Sequence, residues 1–179
     1  MRIITGKYKG RHFDIPRSFK ARPTTDFAKE NIFNVLTGYL DFEGTEALDL
    51  FAGTGSITLE LLSRGCSQVV CVEQDRDHHQ FIRQCLAKLS PDGLREAIPV
   101  RSDVFRFIKS CHQPFDFIFA DPPYALKELP TIPDLIFNHQ LLKPEGIFVF
   151  EHGKEHDFSA HPHFVEHRQY GSVNFSLFR

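Results

Sequence analysis

The sequence predicts an α/β fold: a doubly wound, mostly parallel seven-stranded sheet with a short N-terminal hairpin and a C-terminal antiparallel hairpin. Three observations lead there. Short, continuously apolar runs alternate with segments of helical periodicity between residues 46 and 151, the pattern of parallel strands covered on both faces. Acidic residues recur just past the ends of those runs, where open α/β sheets place a ligand crevice. Beyond Glu151 the alternation stops, and two runs flank Gly171-Ser172, as in a hairpin that closes a sheet edge.

Taken in order, the first fifteen residues alternate in polarity, with Gly6 and Gly10 bracketing Lys7-Tyr8-Lys9, and read as a short hairpin. A polar connection carrying Pro16 and Pro23 follows. From Thr25 to about Leu40, Phe27, Ile32, Val35, Leu36 and Tyr39 recur at helical spacing, and Thr24, Thr25 and Asp26 offer capping groups. Strands are expected at Glu46–Phe51, Gln68–Val72, Ile98–Arg101, Phe115–Ala120 and Gly146–Glu151. Between them, helices are expected at Ser56–Arg64, Arg76–Leu89, Val104–Ser110 and Thr131–Asn138. The closing hairpin pairs Phe164–Tyr170 with Val173–Phe178. Residues 1–24 thus form a basic hairpin and connection, and 25–179 a Rossmann-like domain.

A composition of 41% hydrophobic and 25% charged residues is that of a globular chain, and no apolar stretch reaches membrane-spanning length. The first residues lack the apolar segment of a signal peptide, so a cytoplasmic protein is expected. Cys66, Cys71, Cys85 and Cys111 show no CxxC pairing and read as reduced, mostly buried thiols. The histidines 152, 156, 161, 163 and 167 match no single helix face and read as a solvated loop, His78-His79 as surface, so no metal is expected. Nothing points to an obligate oligomer, and a monomer is expected. Net charge is −2, but residues 1–29 carry eight basic and two acidic side chains. A basic arm on an acidic body marks a phosphate-binding face.

The chemistry concentrates at the strand ends. Asp121-Pro122-Pro123-Tyr124 follows the apolar run Phe117–Ala120. Two prolines fix φ and lack N–H groups, so an acid and a ring are held at fixed separation with free backbone carbonyls. That suits gripping a flat group that carries an NH₂. The first strand ends in Asp49-Leu50-Phe51-Ala52-Gly53-Thr54-Gly55, whose glycines let the backbone pass close beneath a ligand. A dinucleotide fingerprint wants Gly or Ala where Thr58 stands. Asp49 would repel a pyrophosphate yet attract an amine or sulfonium cation. Twenty residues after Gly53 stands Glu73, placed to take ribose hydroxyls, and Ser102-Asp103-Val104 offers a carboxylate for an adenine amino group.

This ordered set resembles the S-adenosylmethionine-dependent methyltransferases of class I that act on amino groups of planar systems. The resemblance extends further. The segments Met1-Arg2-Ile3-Ile4-x-Gly6-Lys7-Tyr8-Lys9-Gly10-Arg11, Arg22-Pro23-Thr24-Thr25-Asp26, Glu30-x-x-Phe33-Asn34-x-Leu36, Leu48–Gly55, Glu60-x-Leu62-Ser63-Arg64-Gly65 and Asp121–Tyr124 are similar to the RsmD family, bacterial 16S ribosomal RNA (guanine-N2)-methyltransferases. The match covers nearly the whole chain. Two departures stand out: Lys29 where the family usually has Arg, and Cys85 where it usually has Asn. Lys29 keeps the charge without bidentate geometry.

The resemblance implies methyl transfer from S-adenosylmethionine to guanine N2 in 16S ribosomal RNA or the small subunit. Asp121 and the Pro122 carbonyl would accept the amine hydrogens and Tyr124 would stack on the base. Thr24, Thr25, Asp49, Phe51, Gly53, Gly55, Glu73, Asp103 and Val104 would hold the cofactor, and Lys7, Lys9, Arg11 and Arg22 the RNA phosphates. Rival readings are an amino-group methyltransferase for DNA adenine, DNA cytosine or protein glutamine, and a non-catalytic ribosome-assembly protein. A nicotinamide oxidoreductase is disfavoured by Thr58. Many of the first rivals begin the tetrapeptide with Asn and carry an extra recognition domain.

Overall fold

A computed structural model describes residues 1–20 and 23–179. Helices α1 (Asp26–Leu36), α2 (Ser56–Ser63), α3 (Arg76–Leu89), α4 (Gly93–Glu96), α5 (Val104–Ser110) and α6 (Ile132–Asn138) surround strands β1 (Glu46–Leu50), β2 (Gln68–Val72), β3 (Ala97–Val100), β4 (Phe115–Ala120), β5 (Leu142–His152), β6 (Phe164–Tyr170) and β7 (Val173–Phe178). The sheet order is β3-β2-β1-β4-β5-β7-β6. The first five strands run parallel, and β7 inserts antiparallel between β5 and β6. The chain leaves β1 toward β2 and β3, then returns to β4 on the other side. The switch point therefore lies between β1 and β4, where such sheets open a crevice.

Register decides what reaches that crevice. Leu50 pairs with both Val72 and Ala120, Val72 with Val100, and Ala120 with Phe150. This level row is apolar and faces α5 and α6, packing with Val104, Ile108, Ile132 and Ile136. Because side chains alternate, Asp49, Cys71, Phe119 and Val149 face the other way. There α1, α2 and α3 build a second core layer from Ile32, Phe33, Leu61, Leu62, Phe81 and Leu86. One step beyond the level row come Phe51, Glu73, Asp121 and Glu151.

The structure amends several expected elements. The N-terminal hairpin is a loop closed by one bridge, Arg2 to His12, with Ile3 N–H donating to Arg11 O at 3.0 Å. It gains its anchorage elsewhere. The buried Glu60 carboxylate accepts from the Ile4 and Thr5 N–H groups at 2.8 and 3.1 Å and from Arg64 at 2.9 Å. Lys29, itself buried, donates to Arg2 O at 2.7 Å and Ser56 Oγ at 2.9 Å, with Glu60 3.7 Å away. Burial holds the Lys29 ammonium below its ordinary range, against the pull of Glu60. The first helix stops at Leu36 rather than near Leu40, closing in turns at Thr37, Gly38 and Tyr39. The fifth strand begins at Leu142, four residues early, because Glu145 at φ +66° and a register shift against β4 absorb Pro144. The short α4 and a 3₁₀ turn at Leu129–Thr131 were not foreseen. Cys85 packs in the core face of α3 with no polar role. Among the described residues, no helix is long and apolar enough to cross a membrane.

Removing Glu60 strands a buried ammonium, a guanidinium and two N–H groups together. Glu60→Ala is expected to cost about 3–5 kcal/mol in urea unfolding, and adding Lys29→Met should recover only the part due to the ammonium, since Arg64 and the Ile4 and Thr5 N–H groups stay unpaired.

Candidate active site

A crevice of about 640 Å³ opens at the carboxyl ends of the parallel strands. Its floor is set by backbone conformation. Phe51 takes φ +59°, which ends β1 one residue earlier than the apolar run and turns the chain over β2. Ala52 N–H then bonds Val72 O at 3.0 Å, and Gly53 N–H bonds the Glu73 carboxylate at 2.9 Å. Gly53 and Gly55 sit at φ +57° and +81°, where side chains are strained. A Cβ on Gly55 would also meet Ile82 Cγ1 at 3.0 Å, so a side chain there requires Ile82 to give way.

Each acid in the crevice is held by a named partner. Thr58 donates its hydroxyl to Asp49 at 2.7 Å, which explains why threonine occupies the place a dinucleotide site gives to glycine. Burial pushes Asp49 up to about 7, the Thr58 bonds opposing it. Glu73 accepts from Gly53 and Asp75 N–H groups at 2.9 and 2.7 Å. Asp103 caps α5 through Arg106 N–H at 3.0 Å. Val104 is buried beside it, and Phe51 meets Phe105 edge-on at 6.4 Å.

Asp121 leaves β4 with its N–H on Leu50 O at 3.3 Å. Facing it is a residue the sequence reading named only as a strand end: Glu151. This buried carboxylate accepts the Thr24 hydroxyl at 3.1 Å and the Tyr124 phenol at 2.9 Å. It is level with Asp121 on the neighbouring strand, each one residue past the Ala120–Phe150 pair. Burial, with the Glu151 charge adding to it, pushes Asp121 well above the usual carboxylate range. The same two causes, in the same order, raise the Tyr124 phenol. The signal that could have found Glu151 was available: an acid directly after an apolar strand run, like Glu73 and Asp121.

Not every expected residue joins this group. Thr24 and Pro23 line the crevice, but the Thr25 hydroxyl instead caps α1 by accepting from Ala28 N–H at 3.2 Å. Arg22 lies outside the described residues. Lys7 pairs with Glu96 at 3.7 Å, and Arg11 donates to Lys88 O and Leu89 O at 2.8 and 3.4 Å. Those partners mark the start of β3 and the end of α3, so Lys7 and Arg11 sit at the opposite end of the sheet, with Lys9 between them in sequence. A 14-residue α3 spans about 21 Å between the two ends. A shallower hollow of about 780 Å³ lies there, between Gly6, Lys7, Gly65 and Glu96. The crevice itself presents six carboxyl groups, with Lys20 the only lysine or arginine among its described lining residues.

Two readings of histidine are corrected. His152 is fully buried in β5, bonded to Gly153 O at 2.8 Å and Ser176 Oγ at 2.7 Å, so it is no loop residue. His78 is no plain surface residue: it lines the crevice, edge-on to Phe19 at 4.4 Å. Among the described residues no three His, Cys, Asp or Glu side chains form a metal-holding group. All four cysteines are free, and burial pushes Cys66 and Cys71 up to about 12.

A 3-2-1-4-5-7-6 sheet with a glycine turn after β1, an acid after β2 and Asp-Pro-Pro-Tyr after β4 defines a class I methyltransferase. The family described as "Conserved hypothetical protein 95" matches residues 1–179. The chain is 37% identical over 158 residues to "Putative rRNA methyltransferase YlbH" of Bacillus subtilis, covering 87% of this chain and 84% of that one. To "Ribosomal RNA small subunit methyltransferase D" of Escherichia coli it is 32% identical over 162 residues, covering 90% and 79%. The solved "Putative methyltransferase yhhF from Escherichia coli" superposes with a TM-score of 0.85 at 30% identity, covering 99% of this chain and 96% of that one. The chain belongs to this family, the RsmD family.

The Asp49 value carries a sign. Its folded pKa lies above the unfolded one, so the neutral acid stabilises the fold, and that contribution is lost as pH rises from about 4 to about 7. Without added ligand, stability should fall across that window, and the raised Asp121 extends the fall above it. Asp49→Asn should make the fall between about pH 4 and 7 shallower, as read by urea midpoints at each pH.

Proposed function

We propose that the protein transfers a methyl group from S-adenosylmethionine to the exocyclic N2 of a guanine in small-subunit ribosomal RNA. The observation that carries this reading is the fixed Asp121-Pro122-Pro123-Tyr124 turn facing Glu151 at the mouth of an acidic crevice. The names of the relatives support ribosomal RNA as the substrate class.

The chemistry of the lining fits the cofactor. Six carboxyls suit a ligand carrying sulfonium and ammonium charges. Glu73 keeps lone pairs for ribose hydroxyls after its two backbone bonds, and Asp103 keeps one carboxylate oxygen free of the cap. Phe51 and Val104 supply apolar walls for an adenine, Gly53 and Gly55 a floor without side chains, and Thr24 lies beside the crevice wall it shares with Glu151. Thr25 acts through α1, which it caps. When bound, the cofactor supplies an electrophilic methyl group on positively charged sulfur.

The acids also constrain the RNA. Phosphates are repelled by this crevice, so the target base enters without its backbone, at an unstacking cost of a few kcal/mol. Tyr124, partly exposed with its hydroxyl tethered to Glu151, offers its ring face for about 1–3 kcal/mol of stacking. The amine lone pair is delocalised into the base. Acceptance of its hydrogens by Asp121 and the Pro122 carbonyl favours the pyramidal form that attacks. A guanine edge offers donors at N1 and N2 together, which matches a pair of acceptors at Asp121 and the Pro122 carbonyl; adenine and cytosine pair one donor with one acceptor. Asp rather than Asn at position 121 therefore favours guanine. Most of the rate comes from alignment.

Asp121→Ala should retain S-adenosylmethionine binding by calorimetry and lose methyl transfer to small-subunit RNA by at least about 100-fold. Near-full turnover by this variant would remove Asp121 from the chemistry. For the backbone, Lys20 at the crevice is the nearest phosphate contact. Lys20→Ala should reduce the slope of log affinity against log salt by about one. The joint replacement of Lys7, Lys9 and Arg11 should leave a short RNA unaffected and weaken only one long enough to reach the far end of the sheet.

A further inference from the structure

We propose that Glu151 is a positioning residue that shares a single proton with Asp121, so that the two carboxyls act as one acceptor for the proton leaving the target amine. This rests on the methyl-transfer reading and adds to it the destination of that proton. Glu151 is buried at the end of β5, yet among the described residues no lysine or arginine bonds it. Its two oxygens are instead satisfied by two neutral donors, Thr24 Oγ1 and Tyr124 Oη, one on each. Asp121 stands beside it on the neighbouring strand, each one residue past the Ala120–Phe150 pair and both lining the crevice, and two ionised carboxyls so placed repel. One proton between them removes the repulsion and supplies the missing donor.

Among the described residues, the other ionisable groups facing the pair do not supply a counter-charge. Asp49 approaches from β1 with Glu73 behind it from β2, and Glu155 faces Tyr124 from the turn after β5. Asp75, Asp103 and His78 line the remoter wall, and Lys20 is the lone fixed cation among the described lining residues. His152, next in sequence, points to the other face and bonds Gly153 and Ser176. The anionic surroundings therefore favour the singly protonated pair over the dianion.

The balance closes without a further reactant. Before transfer the pair holds one proton and one negative charge, with one Asp121 oxygen free to accept from the amine. As the N2–carbon bond forms and the carbon–sulfur bond breaks, its electron pair stays on sulfur and N2 becomes cationic. N2 then passes a proton to the free Asp121 oxygen. The pair now holds two protons, and one returns to water when the product leaves. Tyr124 and Thr24 keep Glu151 in place throughout, so the base-stacking ring and the proton acceptor share one hydrogen-bond chain.

Infrared difference spectroscopy of the whole protein tests this directly. At about pH 8, where Asp49 with its value near 7 is mostly ionised, the wild type should show a protonated-carboxyl stretch that Asp121→Asn removes. Glu151→Gln should lower the midpoint of that band by about one pH unit or more. Thr24→Val and Tyr124→Phe, each removing a donor that stabilises ionised Glu151, should raise it. Glu151→Gln should also cut kcat by about 100-fold while leaving the KM for the methyl donor near wild type. A wild type without the band, or a midpoint that none of the three variants moves, overturns the shared proton. The two conservative donor variants keep the test decisive if Glu151→Gln folds poorly. Failure of the wild type to form N2-methylguanosine overturns the functional reading instead.

Discussion

The register of four parallel strands governs everything at the crevice. Leu50, Val72, Ala120 and Phe150 stand level across the sheet, and the residue after each lines the crevice. Those next residues are Phe51, Glu73, Asp121 and Glu151. A slip of one residue in any strand would send an acid into the apolar layer over α5 and α6 and bring a core side chain to the crevice. The apolar packing on both faces of the sheet, dense in phenylalanine, is thus what places the acids.

Electrostatics then divides the molecule. Of the described basic residues among the first 29 positions, Lys20 alone lines the crevice. Lys29 is spent inside the fold on Arg2 O and Ser56, beside Glu60, and Lys7 and Arg11 are held at the opposite end of the sheet. The crevice keeps its carboxyls largely unopposed. Such a field suits a cationic methyl donor and an uncharged base, and excludes phosphates to the rim. Binding of donor and admission of a base alone follow from one arrangement of charge.

Much of this was legible in the sequence, because the parallel strands are apolar runs and the crevice acids sit at or near their ends. All seven strands, and the gathering of Asp49, Glu73, Asp103 and Asp121 at one crevice, could be read from the chain. What escaped depends on contacts between distant segments. Glu151 looked like any strand-terminal acid until Thr24, 127 residues away, and Tyr124 met it. The basic arm read as a phosphate grip because charge runs along a chain do not report which end of a sheet they reach. His152 read as loop because the run Leu142–His152 continues past its apolar centre, and only the pairing with β7 buries it. Thr25 shows the opposite limit: a capping group at a helix start and a cofactor contact share one residue type.

The central claim is that this crevice methylates an exocyclic amine of guanine. Its most direct test is nucleoside analysis of small ribosomal subunits and their RNA, taken from cells lacking this protein and incubated with it and methyl-labelled S-adenosylmethionine. The label should appear as N2-methylguanosine and in no other nucleoside. Label on adenine, on cytosine or in ribosomal protein, or no label at all, would contradict it.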